Sequence, residues 1–253
     1  MSGQVTRRLS RDGAVQVVTV DRPAKLNVLD PAMIAALTAA FAEPAPGARA
    51  LVLTGQGPRA FIGGADIAAM AALDGPAAAR AFITSLHRLC AAIRNAPVPV
   101  VASIRGYCFG AGLEVAAACD LRVADPTAVF GMPEVNVGLP SVIEAALLPT
   151  LIGAGRTRDL VMTGRRLSAA EALDWGFVTR LAPEGGLDAA TDAVLSELLA
   201  AGAESLRLQK RLCNEWEQVG TDMAVAAGIR TFGEAFEGPE PTRMLRAFLD
   251  RKR

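Results

Sequence analysis

The amino-acid sequence predicts an α/β fold in which helices cover a largely parallel β-sheet. Three observations predict this class. Runs of β-branched residues alternate with helical stretches over roughly the first 140 residues. From about residue 141 onward the pattern becomes mostly helical. At 253 residues, 51% of them hydrophobic, the chain is long enough to bury a large core.

The predicted strands are apolar, β-branched runs that end at turn-forming residues. The third has a proline near its start, where a strand tolerates one. The strands are predicted at residues 14–21, 49–54, 98–104, 121–124 and 128–130. The helices between them are predicted at residues 31–42, 76–95 and 111–119.

The C-terminal part is predicted to be helical. Ser168 and Glu171 have the spacing of a capping box, so a helix should begin there and end near Gly176. Glycines then separate four further helices, predicted at residues 187–201, 203–218, 221–236 and 241–251. We therefore divide the chain into an α/β core, residues 1–190, and a helical region, residues 191–253.

Composition narrows the classes of function. The formal net charge is zero and no Lys/Arg block dominates, so bulk electrostatics give no reason to expect nucleic acid as a partner. The N-terminus lacks the apolar core of a signal peptide, and no apolar run approaches the roughly 18 residues of a membrane span. The four cysteines lack metal-site spacing and are predicted to be buried free thiols in a reducing compartment. We expect a soluble cytoplasmic protein with no metal site and no membrane partner.

The most informative segment is Gly106-Tyr-Cys-Phe-Gly-Ala-Gly-Leu-Glu114, followed by a second glutamate, Glu134, in Phe-Gly-Met-Pro-Glu. Apolar neighbours should bury Glu114 and raise its pKa towards neutrality. Two such carboxylates facing one site can exchange protons with a water and a substrate carbon. The preceding glycines allow close approach of a ligand, and N–H groups at a helix start can hold developing negative charge. The segment predicts a catalytic site.

Several segments, in order, resemble the crotonase (enoyl-CoA hydratase/isomerase) superfamily over essentially the whole chain. The matching pieces are Asp21-Arg-Pro-Ala-Lys-Leu-Asn-Val-Leu29, Leu51-Val-Leu-Thr-Gly-Gln-Gly57, Ala60-Phe-Ile-Gly-Gly-Ala-Asp-Ile67, Gly106 to Asp120, Phe130-Gly-Met-Pro-Glu134, Ala169 to Val178 and Ala247 to Lys252. The resemblance implies a spiral core of ββα turns followed by helices that form trimers, which usually pair into hexamers. It also implies an acyl-CoA thioester as the ligand.

By the same resemblance, the backbone N–H groups of Ala65 and Ala111 should polarise the thioester carbonyl as an oxyanion hole. The residues that line the substrate and CoA site are then Ala24, Gly63, Ala65, Asp66, Ile67, Ala68, Gly110 and Ala111. The alternative for the glycine segments is that they are tight turns that serve only packing.

Glu114 and Glu134 occupy the two carboxylate positions of the family's hydratases. The resemblance implies that they hold one water, which adds across the α,β double bond of an enoyl-CoA without metal or redox cofactor; coenzyme A arrives as part of the substrate. A structural role for either glutamate is the alternative. Other reactions of the same fold, double-bond isomerisation or thioester hydrolysis, also remain open, as does a non-catalytic acyl-CoA-binding scaffold.

The sequence departs from the family pattern after Glu134. Many hydratases have a Pro-Gly-x-Gly-Gly-Thr-Gln run there, whereas this chain has bulkier residues at 138–149 that we expect to reshape the acyl pocket. Glu144 adds a third carboxylate, which we interpret as structural, on the first turn of a helix where negative charge suits the dipole. The alternative is that Glu144 takes part in double-bond isomerisation or thioester hydrolysis. His87, the chain's one histidine, is interpreted as a surface or helix-packing residue.

Overall fold

The computed structural model describes residues 3–250. Its strands, in chain order, are β1 (Gln4–Ser10), β2 (Val15–Asp21), β3 (Ala50–Gly55), β4 (Ala60–Ile62), β5 (Val100–Ile104), β6 (Tyr107–Phe109), β7 (Leu121–Ala124), β8 (Val129–Gly131), β9 (Arg166–Ser168) and β10 (Arg180–Leu181). Its α-helices are α1 (Pro31–Ala42), α2 (Ile67–Ala71), α3 (Gly75–Asn95), α4 (Ala111–Ala118), α5 (Leu148–Ile152), α6 (Ala154–Thr163), α7 (Ala169–Asp174), α8 (Leu187–Ala200), α9 (Ala203–Trp216), α10 (Thr221–Ala235) and α11 (Glu240–Asp250). Short 3-10 helices occupy Pro23–Lys25, Pro133–Val137 and Ile143–Leu147.

The strands form two sheets, and the chain passes repeatedly from one to the other. The larger sheet has the order β1-β2-β3-β5-β7-β10, and the smaller one has the order β4-β6-β8-β9. Within the larger sheet β2, β3, β5, β7 and β10 run parallel, and β1 is antiparallel to β2. The successive pairs β3–β4, β5–β6 and β7–β8 each place one strand in each sheet. This is the predicted spiral of ββα turns.

The central strands are apolar on both faces because both faces of the larger sheet are covered. Every residue of β5 is buried, and its alternate side chains enter two separate hydrophobic clusters. One cluster holds Ala102 and Ile104 with residues of α1, α3 and α4, and the other holds Val101 with residues of α8. A parallel sheet covered on both faces requires near-continuous apolar strands, which is why these strands could be recognised from sequence.

All five predicted strands and all predicted helices are confirmed to within about two residues, except that residue 251 of the last helix lies outside the described residues. The capping box is confirmed, since Ser168 N–H donates to Glu171 Oε2 at 2.9 Å and Glu171 N–H donates to Ser168 Oγ at 3.2 Å. The prediction of buried thiols holds for Cys90, Cys108 and Cys119 but is wrong for Cys213, which lies on α9 and is exposed.

The predicted division at residue 190 falls inside α8, which packs on the larger sheet. Downstream, α9 is joined to the core by Lys210, a buried lysine. Its Nζ donates to the carbonyl oxygens of Ile93 (2.8 Å) and Val98 (3.2 Å) and lies 2.8 Å from Asp120 Oδ2. Asp120 itself accepts a hydrogen bond from the Val100 N–H. Of the helices in residues 3–250, none is long and apolar enough to span a bilayer.

Candidate active site

Glu114 lies on the first turn of α4, a helix buried along its whole length. The helix begins tightly against β4: a Cβ atom at position 112 would lie 2.1 Å from the Ile62 carbonyl oxygen, so only glycine fits there. Glu114 is 4% exposed, and its Oε1 accepts a hydrogen bond from the Ala145 N–H at 3.2 Å. The predicted burial of this carboxylate is confirmed.

Glu134 belongs to the 3-10 helix Pro133–Val137, and its side chain reaches the start of α4. Its Oε2 accepts a hydrogen bond from Ser141 Oγ at 2.9 Å. Its Oε1 lies against Gly110, the residue before α4, where an added Cβ would be 2.6 Å away. The two predicted catalytic carboxylates are therefore brought to the same helix start.

Both carboxyl groups have raised pKa values. Burial, reinforced by the charge of Glu134 and more weakly by that of Glu144, raises the pKa of Glu114 to about 8, against the opposing Ala145 hydrogen bond. Burial also raises the pKa of Glu134, opposed by its own backbone N–H and by the Ser141 hydroxyl. Two like charges in one desolvated site disfavour double ionisation, so near neutral pH the pair retains a proton that one member can donate while the other accepts.

Ala65 forms an isolated parallel β-bridge with Leu29, and this bridge leaves the Ala65 N–H able to bind a ligand. Leu29 donates its N–H to the Gly64 carbonyl and accepts from the Asp66 N–H, each at 2.9 Å. These two bonds fix the residues on either side of Ala65. Within residues 3–250 the Ala65 N–H itself has no acceptor.

Ala111 is the first residue of α4, so its N–H has no partner inside the helix. Gly110 fixes this helix start: it donates to the Gly131 carbonyl at 3.0 Å and accepts from the N–H groups of Leu113 and Glu114. The Ala111 N–H, like that of Ala65, finds no acceptor in the described part of the chain. Because β4 and β6 run parallel as neighbours and lead into these two segments, both N–H groups lie at the same edge of the smaller sheet.

The segments that carry the predicted CoA-site residues are joined by hydrogen bonds. Gly63 N–H donates to the Leu26 carbonyl at 2.8 Å, which holds the Ala24 turn beside the 63–68 segment. Asp66 caps α2 by accepting from the Ala68 N–H at 2.9 Å, and Ile67 is 64% exposed at the mouth of this region.

Arg22 was not singled out by sequence reasoning, although it lies in the Asp21-Arg-Pro piece of the family pattern. Its Nη1 lies 2.7 Å from Asp66 Oδ2 and donates to the Val28 carbonyl at 3.3 Å. The Arg22 hydrogen bond lowers the pKa of Asp66, so this carboxylate remains ionised and continues to cap α2. Ser141, which contacts Glu134, and Ala145, which contacts Glu114, were also missed. They lie in the 138–149 segment, which differs from the family pattern and carries no signal of these contacts.

His87 and Glu144 are in contact. Glu144 lies on the first turn of the 3-10 helix Ile143–Leu147, so its predicted position on a first helical turn is confirmed. It is buried, with 7% of its surface exposed. Its Oε1 is 2.8 Å from His87 Nδ1 on α3, and the His87 side chain is 54% exposed.

Comparison with known proteins identifies the family. The sequence profile of the enoyl-CoA hydratase/isomerase family matches residues 10–253. The chain is 30% identical to the crotonyl-CoA hydratase of Syntrophomonas wolfei over 250 residues, which cover 97% of this chain and 95% of the relative. It is 29% identical to the short-chain-enoyl-CoA hydratase of Clostridium acetobutylicum over 248 residues, with 97% and 95% coverage.

Solved structures agree. The enoyl-CoA hydratase of Mycobacterium smegmatis has a TM-score of 0.93 at 28% identity, and the match covers 98% of this chain and 96% of that one. The protein therefore belongs to the enoyl-CoA hydratase/isomerase family.

Proposed function

We propose that the protein is an enoyl-CoA hydratase, which adds water across the 2,3 double bond of a 2-enoyl-CoA to give a 3-hydroxyacyl-CoA. The observation that carries this proposal is the meeting of two carboxyl groups with raised pKa values, Glu114 and Glu134, at one helix start beside two available N–H groups. The relatives named hydratases support the same reaction. We propose that it serves fatty-acid or related acyl-CoA catabolism.

In the proposed reaction the thioester oxygen accepts hydrogen bonds from the N–H groups of Ala65 and Ala111. As the water oxygen attacks C3, electrons move through C2 towards the thioester oxygen. The two N–H donors stabilise the enolate-like negative charge that develops on the thioester oxygen. Removing one such donor in comparable sites costs roughly 3–4 kcal/mol of transition-state stabilisation.

The proton transfers in the proposal fall to Glu114 and Glu134. One carboxylate takes a proton from the attacking water, and the other carboxyl group delivers a proton to C2. Each direction of the reaction returns the pair to a singly protonated state. Addition of water is redox-neutral, so the proposal requires no redox cofactor. It requires no metal because the two carboxyl groups move the protons and the two N–H groups hold the developing charge; coenzyme A enters as part of the substrate.

The CoA portion is proposed to bind along Ala24, Gly63, Asp66, Ile67 and Ala68, next to the oxyanion donors. The Arg22–Asp66 ion pair, with side chains 11% exposed on both sides, gives this loop cluster a fixed shape. Neighbouring Gly110 leaves room for the Glu134 carboxylate, since any side chain at position 110 would meet it.

Assembly is a further part of the proposal. The helices α10 and α11, together with the residue that follows α10, carry large apolar side chains that are exposed in the single chain. We propose that these side chains are buried in a homotrimer or a hexamer of two trimers. These residues are Met223, Val225, Ile229, Phe232, Phe236, Met244, Leu245, Phe248 and Leu249. The free thiols suit a reducing compartment, which supports the proposed cytoplasmic location.

The test is a product assay on crotonyl-CoA and on longer and branched 2-enoyl-CoA esters. We expect 3-hydroxyacyl-CoA to form, with no migration of the double bond and no free coenzyme A. Migration to the 3,4 position would favour an isomerase, and release of a free thiol would favour a thioester hydrolase. Tight binding of the esters without any product would contradict catalysis and leave an acyl-CoA-binding scaffold.

A further inference from the structure

The turn that follows Glu134 is strained where it enters the site. Ile143 has φ +38°, a left-handed conformation that a β-branched residue rarely adopts. The Ala145 N–H closes the turn by donating to the Val142 carbonyl at 2.9 Å. Strain of this kind persists only where surrounding contacts hold it, and it concentrates at functional sites.

Glu144 supplies one such contact. Its carboxylate is buried between α3, α4 and its own short helix, with Oε1 held by His87 Nδ1 at 2.8 Å. Its Oε2 is also buried, and it has no hydrogen-bond partner among residues 3–250. A buried carboxylate whose polar neighbours are one imidazole nitrogen and the Cys90 thiol is costly. An apolar side chain at position 144 would stabilise the fold at least as well. With Glu144 ionised, Nδ1 of His87 must carry the proton of this hydrogen bond.

The same turn touches the proposed acid–base residue. Ala145, next to Glu144, donates its N–H to Glu114 Oε1 at 3.2 Å, so the position of the turn sets the position of the Glu114 carboxyl group. The titratable groups facing Glu114 are Glu134, Glu144 and the Cys90 thiol on α3; His87 reaches it through Glu144. The negative charge of Glu144 contributes to the raised pKa of Glu114.

We propose that His87 and Glu144 form a positioning pair that holds the Glu114 carboxyl group in place and helps it to retain its proton, an inference that rests on the hydratase function proposed above. His87 stabilises the buried Glu144 anion from the half-exposed face of α3. The Glu144 anion then opposes ionisation of Glu114, while the adjacent Ala145 N–H keeps one oxygen of Glu114 fixed. Neither His87 nor Glu144 touches substrate in this scheme.

The experiment is the pH dependence of kcat/KM for wild type, Glu144→Gln, His87→Ala and the double variant. Glu114→Gln, which lacks the titrating group, identifies the alkaline limb that belongs to Glu114. Removing the Glu144 charge makes Glu114 easier to ionise, so the limb should move towards lower pH by about half a unit. His87→Ala should move it in the same direction, because His87 Nδ1 is the group that holds Glu144 Oε1 in place. The double variant should match Glu144→Gln, since His87 acts through Glu144.

Arg88→Gln is the matched control, because Arg88 is exposed on the same helix next to His87 and should leave the limb unmoved. An unmoved limb in Glu144→Gln, or a further shift on adding His87→Ala to it, would overturn the proposal. Infrared spectroscopy can follow the ionisation of Glu114 without turnover, because the carboxyl band that is missing in Glu114→Gln belongs to Glu114. The pH at which this band disappears should shift in the variants as the alkaline limb does. Absence of hydratase activity would contradict the proposed function. The infrared titration would still show whether His87 and Glu144 affect the ionisation of Glu114.

Discussion

Gly110 and Glu134 are packed so closely that a Cβ atom at position 110 would lie 2.6 Å from Glu134 Oε1. Gly110 also has φ +52°, a conformation that residues with a side chain rarely adopt. This one glycine therefore permits the helix start at Ala111, with its available N–H, and the position of the second carboxylate.

Gly110→Ala should consequently lose activity more than stability. The added methyl group displaces the Glu134 carboxylate and strains the helix start, so we expect kcat/KM to fall by at least about 10²-fold, comparable with loss of an acid–base group, and unfolding free energy to fall by about 1–3 kcal/mol. The control is Gly155→Ala on α6, where the space around the new Cβ is open and the effect should stay within about 1 kcal/mol. Equal kinetics for the two variants would contradict the assigned role of Gly110.

Glu114→Gln and Glu134→Gln should each lower hydration of crotonyl-CoA, or of a better enoyl-CoA, by roughly 10²–10⁴-fold. Glutamine keeps the shape and the hydrogen bonds to the Ala145 N–H or to Ser141, but it cannot transfer a proton. Steady-state kinetics give the rate, and calorimetric titration with a non-reactive acyl-CoA should show that binding persists. Near-normal turnover in either variant would remove that residue from the mechanism.

Glu114→Gln should also stabilise the protein, and more so at higher pH. Because the folded-state pKa of Glu114 is raised to about 8, the folded protein keeps this proton where the unfolded chain has lost it, and stability declines as pH rises towards 8. The glutamine variant lacks this penalty. Its advantage in unfolding free energy should grow between about pH 5 and pH 8, to on the order of a few kcal/mol.

Thermal melts at several pH values test that difference. Glu184→Gln, at an exposed site, serves as the control and should track wild type throughout. A constant offset between Glu114→Gln and wild type across this range would show that Glu114 does not hold its proton in the folded state.

Light scattering should give the mass of a trimer or hexamer. Phe232→Asp, at a side chain 70% exposed in the single chain, should shift the mass towards the monomer, because it would bury a charge in the proposed interface. Met162→Asp, on α6 and 73% exposed, should retain the wild-type mass. A wild-type monomer at micromolar concentration would contradict the proposed assembly.

A structure with a CoA-thioester analogue tests the oxyanion donors directly. The thioester oxygen should lie within roughly 2.7–3.2 Å of the nitrogen atoms of both Ala65 and Ala111. Glu114 and Glu134 should flank C2 and C3 with room for one water. A thioester bound elsewhere would exclude the proposed site.

Sequence reasoning located the parts of this protein that are encoded locally. The apolar strands follow from burial on both sheet faces, and the burial of Glu114 follows from its own helix. β1 was missed because most of its residues are exposed and show no apolar alternation; pairing with β2 makes it a strand. β4, β6, β9 and β10 have two or three residues each and were missed because so short a run carries little pattern of its own, although β8, also of three residues, was predicted.

The remaining features depend on contacts between distant segments. His87 and Glu144 are 57 positions apart, and Arg22 and Asp66 are 44 apart. Neither pairing leaves a spacing signal in the sequence. The predicted position of Glu144 on a first helical turn is confirmed, but its contact with the His87 imidazole could not be predicted from the sequence.

Lys210 bears on how the chain folds. Its ammonium group satisfies two carbonyl oxygens at the end of α3 and before β5, as well as Asp120 after α4, and it comes from a helix made later in the chain. A polypeptide that stops near residue 190 would leave these acceptors in the interior without their cation. We therefore expect the spiral core and the C-terminal helices to unfold in one cooperative transition, and a nascent chain to complete its core only after α9 has been synthesised.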